Sequence, residues 1–130
     1  MDNAEKNHFL LIGISLGDPW RQVMEEALAS LGTLQIVREV DALRLARQQD
    51  YDLIVIDATN VEDIFLLALS IRLQRPNAKI VIATASPDWK LAREAFRTGA
   101  TDYIQKSMNK EEILSTLRTA MDKIPPPWGR

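Results

Sequence analysis

Leu53-Ile54-Val55-Ile56-Asp57 is the stretch on which the fold turns: four aliphatic residues in a row, three of them β-branched, ending on a carboxylate. A strand with one wet face would alternate apolar and polar residues. An unbroken apolar run this short, bounded by turn-forming residues, fits a strand covered on both faces, as in a parallel sheet. Two other runs share the form. Ile80-Val81-Ile82-Ala83-Thr84 ends on a hydroxyl, and Thr101-Asp102-Tyr103-Ile104-Gln105-Lys106 ends on an ammonium. Open α/β sheets bind their ligands beyond the carboxyl ends of such strands. Asp57, Thr84 and Lys106 are therefore expected to converge on one edge.

Outward from these runs the chain alternates strand and helix five times. The expected strands are Phe9–Ser15, Leu34–Val37, Leu53–Asp57, Lys79–Thr84 and Thr101–Gln105. Asp18-Pro19 opens the first helix as cap and first helical residue. Trp20, Val23, Met24, Ala27, Leu28 and Leu31 form its inner face, and Gly32 is expected to end it in a left-handed conformation. Asp41 is expected to cap a second helix running to about Gln49. Asn60 with Asp63 reads as a capping box for a third, Val61 to Leu73, with Ile64, Leu67, Ala68 and Ile71 inward. Ser86-Pro87 starts a fourth, with Leu91, Ala92, Ala95 and Phe96 inward and Gly99 as its stop. Asn109 and Glu112 open a fifth, carrying Ile113, Leu117, Ala120 and Ile124, until Pro125-Pro126-Pro127 ends it. The pattern predicts an α/β, flavodoxin-like, doubly wound five-stranded parallel sheet of order 2-1-3-4-5 with five helices. Residues 1–124 form its single domain, and 125–130 a proline-rich tail or linker start.

The composition removes several function classes. There are no cysteines, so thiolate metal sites and cysteine nucleophiles are excluded, and the single histidine, His8, excludes a multi-histidine metal site. A formal charge of −2 gives no electrostatic reason to expect nucleic acid. No apolar run is long enough for a bilayer, and Met1 to Lys6 is too acidic for a signal peptide, so a cytoplasmic location without membrane association is expected.

Taken alone, each site residue has an ordinary reading. Asp57 serves equally well as a turn carboxylate satisfying nearby backbone donors. Thr84 is a β-branched strand end, Lys106 a solvated loop lysine, and Tyr103 a packing aromatic. Together they carry more. The stretches Tyr51-Asp52-Leu53-Ile54-Val55-Ile56-Asp57 and Gly99-Ala100-Thr101-Asp102-Tyr103-Ile104-Gln105-Lys106 resemble the receiver domain of two-component response regulators, over about Phe9 to Ile124. The resemblance implies that Asp57 is the phosphoacceptor, Thr84 the switch hydroxyl, Lys106 the phosphate-contacting lysine and Tyr103 the aromatic whose rotamer reports the state. It also implies a histidine kinase or downstream signalling protein as partner, and self-modification rather than enzymatic turnover.

The chain departs from that family at one point of chemistry. The family's acidic pair, which with the phosphoacceptor binds Mg²⁺, falls either at Gly13-Ile14 or at Leu16-Gly17. Neither placement supplies a carboxylate. Asp18 is the only one nearby, read first as a helix cap and second as a metal ligand beside Asp57. Ser107 and the stretch Ala58-Thr59-Asn60-Val61 also replace the family's usual prolines. The expectation is a divergent, pseudo-receiver-like domain with impaired Mg²⁺-dependent phosphorylation, acting through protein contact. A conventional receiver phosphorylated on Asp57 is the alternative. A flavin or nucleotide binder is more distant, because Ser15-Leu16-Gly17-Asp18 offers phosphate one hydroxyl, one glycine and a repelling carboxylate. A hydrolase with Asp57 as nucleophile lacks a partner acid, since Thr59 stands two residues on. The chain is expected to be a monomer or weak homodimer. Phe65, Leu66 and Leu69 are its expected contact patch, and the last helix–strand–helix face is expected to carry mixed charge without an apolar patch.

Overall fold

The computed structural model describes residues 7–123, and in it five βα units follow one another along the chain. The strands are β1 (Asn7–Ile12), β2 (Gly32–Val37), β3 (Leu53–Asp57), β4 (Ile80–Thr84) and β5 (Asp102–Gln105). The helices are α1 (Pro19–Ala29), α2 (Glu39–Gln48), α3 (Ile64–Gln74), α4 (Trp89–Arg97) and α5 (Lys110–Asp122). All neighbouring strands pair in parallel, in the order β2-β1-β3-β4-β5, as the sequence predicts. Every residue of β3 is buried, which is the physical content of its unbroken apolar run.

Alternate side chains of the central strands feed two separate cores. Phe9, Leu11, Leu53, Val55, Val81 and Ala83 pack against Trp20, Met24 and Leu28 of α1 and Ile113 and Leu117 of α5. Leu10, Ile12, Ile54, Ile56, Ile80 and Ile82 pack against α2, α3 and α4 on the other face. Winding reverses between the β1–β2 and β3–β4 halves, which opens the crevice of this topology beside the end of β1.

Several boundaries differ from expectation for identifiable reasons. β1 stops at Ile12, not Ser15, because Gly13 turns away at φ +87°. Gly32 has no left-handed backbone and does not end α1. It begins β2, where an added Cβ would stand 2.0 Å from the Asn7 carbonyl oxygen, so its role is close strand approach. α2 starts after Arg38 with no side-chain cap, and Asp41 lies in its first turn, paired with Arg38 and Arg44. The α3 cap is Asp63, accepting from Leu66 N, while Asn60 belongs to the preceding loop. Asp88 caps α4 in place of Ser86. Only Ala95 of α4 is buried. Leu91 and Phe96, expected inward, are 42% and 45% exposed. Asp18, Gly99 (φ +102°) and Asn109 do what their positions predict. Ile124 and the tail 125–130 lie outside the described residues.

Candidate functional site

Strand register places Asp57 at the centre of the sheet's carboxyl edge. Ile12 pairs with Ile56, so Gly13 flanks Asp57 on one side, and Ala83 of β4 pairs with Asp57 on the other. The carboxylate is fully buried, and it has partners on both oxygens. Oδ1 accepts from Thr59 N at 2.8 Å, an Asx-type turn. Oδ2 accepts from Lys106 Nζ at 2.8 Å and more distantly from Asn60 Nδ2 at 3.5 Å. The turn reading and the ion-pair reading of Asp57 are thus both realised, one on each oxygen.

Lys106 is the hub of the site. Its backbone N–H donates to Thr84 O at 2.8 Å, which fixes the chain just beyond β5. Its ammonium reaches Asp57, lies 3.6 Å from Asp18 Oδ2 and 3.4 Å from Thr59 Oγ1, and sits 5.0 Å from the centre of the Trp20 ring. The side chain is only 11% exposed. In so dry a setting the attraction between ammonium and carboxylate is stronger than at a free surface, and it is needed to offset the desolvation of both ions. Asp18 acts twice, since its Oδ1 accepts from Trp20 N at 2.9 Å and caps α1. One cation therefore stands between two carboxylates, over an aromatic face.

The structure brings Asp57, Lys106 and Asp18 together, and Thr84 sits beside them on β4. The Thr84 hydroxyl is engaged in its own turn, accepting from Ser86 N at 3.1 Å. Tyr103 pairs with Ile82, lower on the sheet, and packs on the α2–α4 face with its hydroxyl buried and without a hydrogen-bond partner. Thr59, Asn60 and Trp20 complete the site without having been singled out for it from the sequence. Thr59 had a legible signal, because the residue two places after a strand-end Asp is where an Asx turn takes its donor. Trp20 did not, since its spacing marks it equally as α1 core.

Mg²⁺ is the cofactor implied for a receiver site, and it asks for near-octahedral oxygen ligands with one or two carboxylates. Of the two placements read for the acidic pair, the register sets Gly13 and then Ile14 beside Asp57. An ideal Cβ at Gly13 would lie 2.8 Å from Val61 Cγ2, so the space an acidic side chain needs is filled, and the positive φ disfavours any side chain there. Ile14 is 5% exposed in the apolar cluster on the α1 side. Asp18 faces the ammonium of Lys106. Among the described residues no three His, Cys, Asp or Glu side chains are grouped so as to hold a metal ion. The residues present do not fit Mg²⁺.

Comparison with known proteins agrees with this architecture. The family model of the response regulator receiver domain matches residues 19–118. The photosynthetic apparatus regulatory protein RegA of Cereibacter sphaeroides is 31% identical over 109 residues, 82% of this chain and 57% of that protein. The chain thus spans little more than half the length of this curated relative. Among solved structures, a response regulator from Thermotoga maritima superposes with a TM-score of 0.79 at 22% identity, over 89% of this chain and 98% of that one. The signal receiver domain of an HD domain-containing protein from Pseudomonas fluorescens Pf-5 gives 0.78 at 25% identity, over 94% and 91%. With the sheet wound in that order and the family match running from α1 into α5, the chain belongs to the response regulator receiver domain family of two-component signalling.

Proposed function

We propose that this receiver domain is a divergent one, in which Lys106 rather than a divalent ion neutralises Asp57, and that it signals by contact with protein partners without needing phosphate on Asp57. The observation that carries the reading is the 2.8 Å Lys106–Asp57 pair, set opposite Gly13 and Ile14 where a metal site needs carboxylates. Phosphoryl transfer relies on positioning and on neutralising charge as it develops. Here Lys106 is already shared between Asp57 and Asp18. A phosphoryl group on Asp57 would compete with Asp18 for one ammonium and gain no metal. In this reading Thr84 and Tyr103 keep the family's positions, Thr84 at the carboxyl edge of the sheet and Tyr103 packed inward beneath α4. A histidine kinase or a downstream signalling protein is the partner class, and residues 1–124 act as one module with 125–130 as tail or linker. The domain is modified or bound; it does not turn over a substrate.

The test is intact mass after incubation with Mg²⁺ and acetyl phosphate. The expected result is no gain of a phosphoryl group, together with no saturable change in tryptophan emission on Mg²⁺ titration to millimolar. A phosphoryl gain abolished by Asp57→Asn would overturn the proposal and restore the conventional receiver.

A further inference from the structure

The crevice beside β1 carries chemistry opposite to that of a metal pocket. It is a cleft of about 430 Å³ between the loops after β1 and β2, and both Arg21 of α1 and Arg38, just before α2, line it. Neither guanidinium is tightly held. Arg21 pairs with Glu25 at 3.6 Å, and Arg38 with Asp41 at 3.4 Å, while Asp41 has a closer partner in Arg44 at 3.0 Å. Pairs of this length that stay partly open to water contribute little and give way readily. Glu39 is the one acid on the wall, and one of its oxygens accepts from Glu62 N at 3.1 Å. Asp18, which the sequence suggests would repel phosphate here, is turned away onto Trp20 N and Lys106 and is not part of the wall.

The remaining wall is mixed: Ser15 and Asn60 add a hydroxyl and an amide, and Ile14, Leu16, Ile36 and Val37 give it an apolar side. Ile36 and Leu16 border the cleft, and Leu16 is 85% exposed, so the largest apolar side chain of the β1–α1 loop stands bare at its mouth. The volume is in the range of small-molecule sites and exceeds what inorganic phosphate would fill. Two guanidiniums favour bidentate contact with phosphate or carboxylate oxygens. We infer that this cleft is a binding site for a small anion with a planar or apolar body. Its anionic group pairs with Arg21 and Arg38, and its body covers Leu16 against Ile36. The inference stands on residues separate from the Asp57–Lys106 pair and does not rest on the reading proposed for it.

Calorimetric titration of the full chain with ADP, and in parallel with pyrophosphate, tests it. Saturable ADP binding at micromolar to submillimolar concentration is expected, with pyrophosphate weaker. Arg21→Gln with Arg38→Gln should weaken ADP about tenfold or more, the scale of a charge-assisted contact, while Arg93→Gln on α4, which removes a charge away from the cleft, leaves it unchanged. A wild type that shows no saturable ADP binding at millimolar concentration overturns the site. So does affinity that ignores both arginines, or that falls with Lys106→Gln in their place. Pyrophosphate binding as tightly as ADP overturns the role given to Leu16 and Ile36. Should the double variant lose its thermal transition, Arg38→Gln alone, at a side chain 82% exposed, carries the same comparison.

Discussion

Asp57 and Lys106 are unequal partners, because Lys106 has a second carboxylate in Asp18 while Asp57, fully buried, has no other cation among the described residues. Removing the cation by Lys106→Met leaves a carboxylate in the interior with only Thr59 N and Asn60 Nδ2 to satisfy it. Breaking a buried pair this way costs about 3 kcal/mol or more. Asp57→Asn is the milder change: the amide oxygen still accepts from Thr59 N, and Lys106 keeps Asp18. Urea titrations should therefore show a larger loss for Lys106→Met than for Asp57→Asn; equal losses would contradict the hub role of Lys106. Tyr51 provides a pH signature at the far end of β3. Burial raises its phenol above the ordinary value of 10.0, and its hydroxyl donates to Gln35 Oε1. A raised pKa in the folded state means the contribution is complete below about pH 10 and is lost as pH rises through the folded value. The wild type should lose more stability between pH 8 and pH 11 than Tyr51→Phe, as read by urea midpoints at the two pH values. At this scale the sequence made Asp57 and Lys106 legible through strand-end position. It left Asp18 ambiguous between cap and site because one side chain does both. Gly13 was legible only as a missing acid; its positive φ and its contact with Val61 depend on loops that meet only in the fold.

Secondary structure was read correctly at β3 and at the start of α5. β3 has a continuous apolar run, and α5 has one cap, Asn109, whose side chain accepts from Glu112 N at 2.9 Å. Two of the errors fall where capping residues stand close together. Asn60 and Asp63 both qualify before α3, and Asn60 is drawn into the Asp57 turn. Ser86 and Asp88 both qualify before α4, and Ser86 N is taken by Thr84 Oγ1. Arg72 shows a different limit. It falls four residues after Ala68, on the predicted inner stripe of α3, and there it is 1% exposed. Burial lowers its pKa from the ordinary value. Its guanidinium donates to Gly99 O through Nε and Nη2 and to Pro76 O through Nη1 at 2.8 Å, tying α3 to the turn between α4 and β5. Arg72→Met should cost about 2 kcal/mol, because it strands the buried Gly99 carbonyl, which accepts two of its bonds, while keeping the volume filled. Arg72→Lys should recover only part of this, since an ammonium lacks the planar fork. Thermal unfolding of the three proteins decides it, and an unaffected Arg72→Met would show that the clamp contributes nothing.

For the molecule as a whole, the distribution of exposed apolar side chains departs from the sequence reading and changes where a contact surface is expected. On α3, Phe65 packs against the core and Leu69 is half-buried, leaving Leu66 and Leu73 bare. On α4, Trp89, Leu91 and Phe96 are all exposed, the first at 67%. The last helix–strand–helix face, expected to carry mixed charge without an apolar patch, thus holds exposed apolar side chains, Trp89 and Phe96 together on one flank of α4 and Leu91 on the other, because α4 lays just the narrow line of Ala92 and Ala95 against the sheet. Lys90, Arg93 and Arg97 run beside that group, with Glu94 among them 3.9 Å from Arg97, so the surface is apolar with a net basic margin. Apolar side chains clustered in this way favour a covered state, and a basic margin selects an acidic partner or weakens pairing with a second copy by like-charge repulsion. The expected behaviour is a monomer that associates weakly at high concentration and more readily as salt screens the basic margin. Sedimentation velocity at two salt concentrations would show this, with Leu91→Asp and Phe96→Asp together removing the association and Leu66→Asp with Leu73→Asp leaving it. Both double variants should keep the wild-type thermal midpoint within about 1 kcal/mol of stability, since exposed positions carry little of it. Loss of association in the α3 variant alone would return the contact surface to α3.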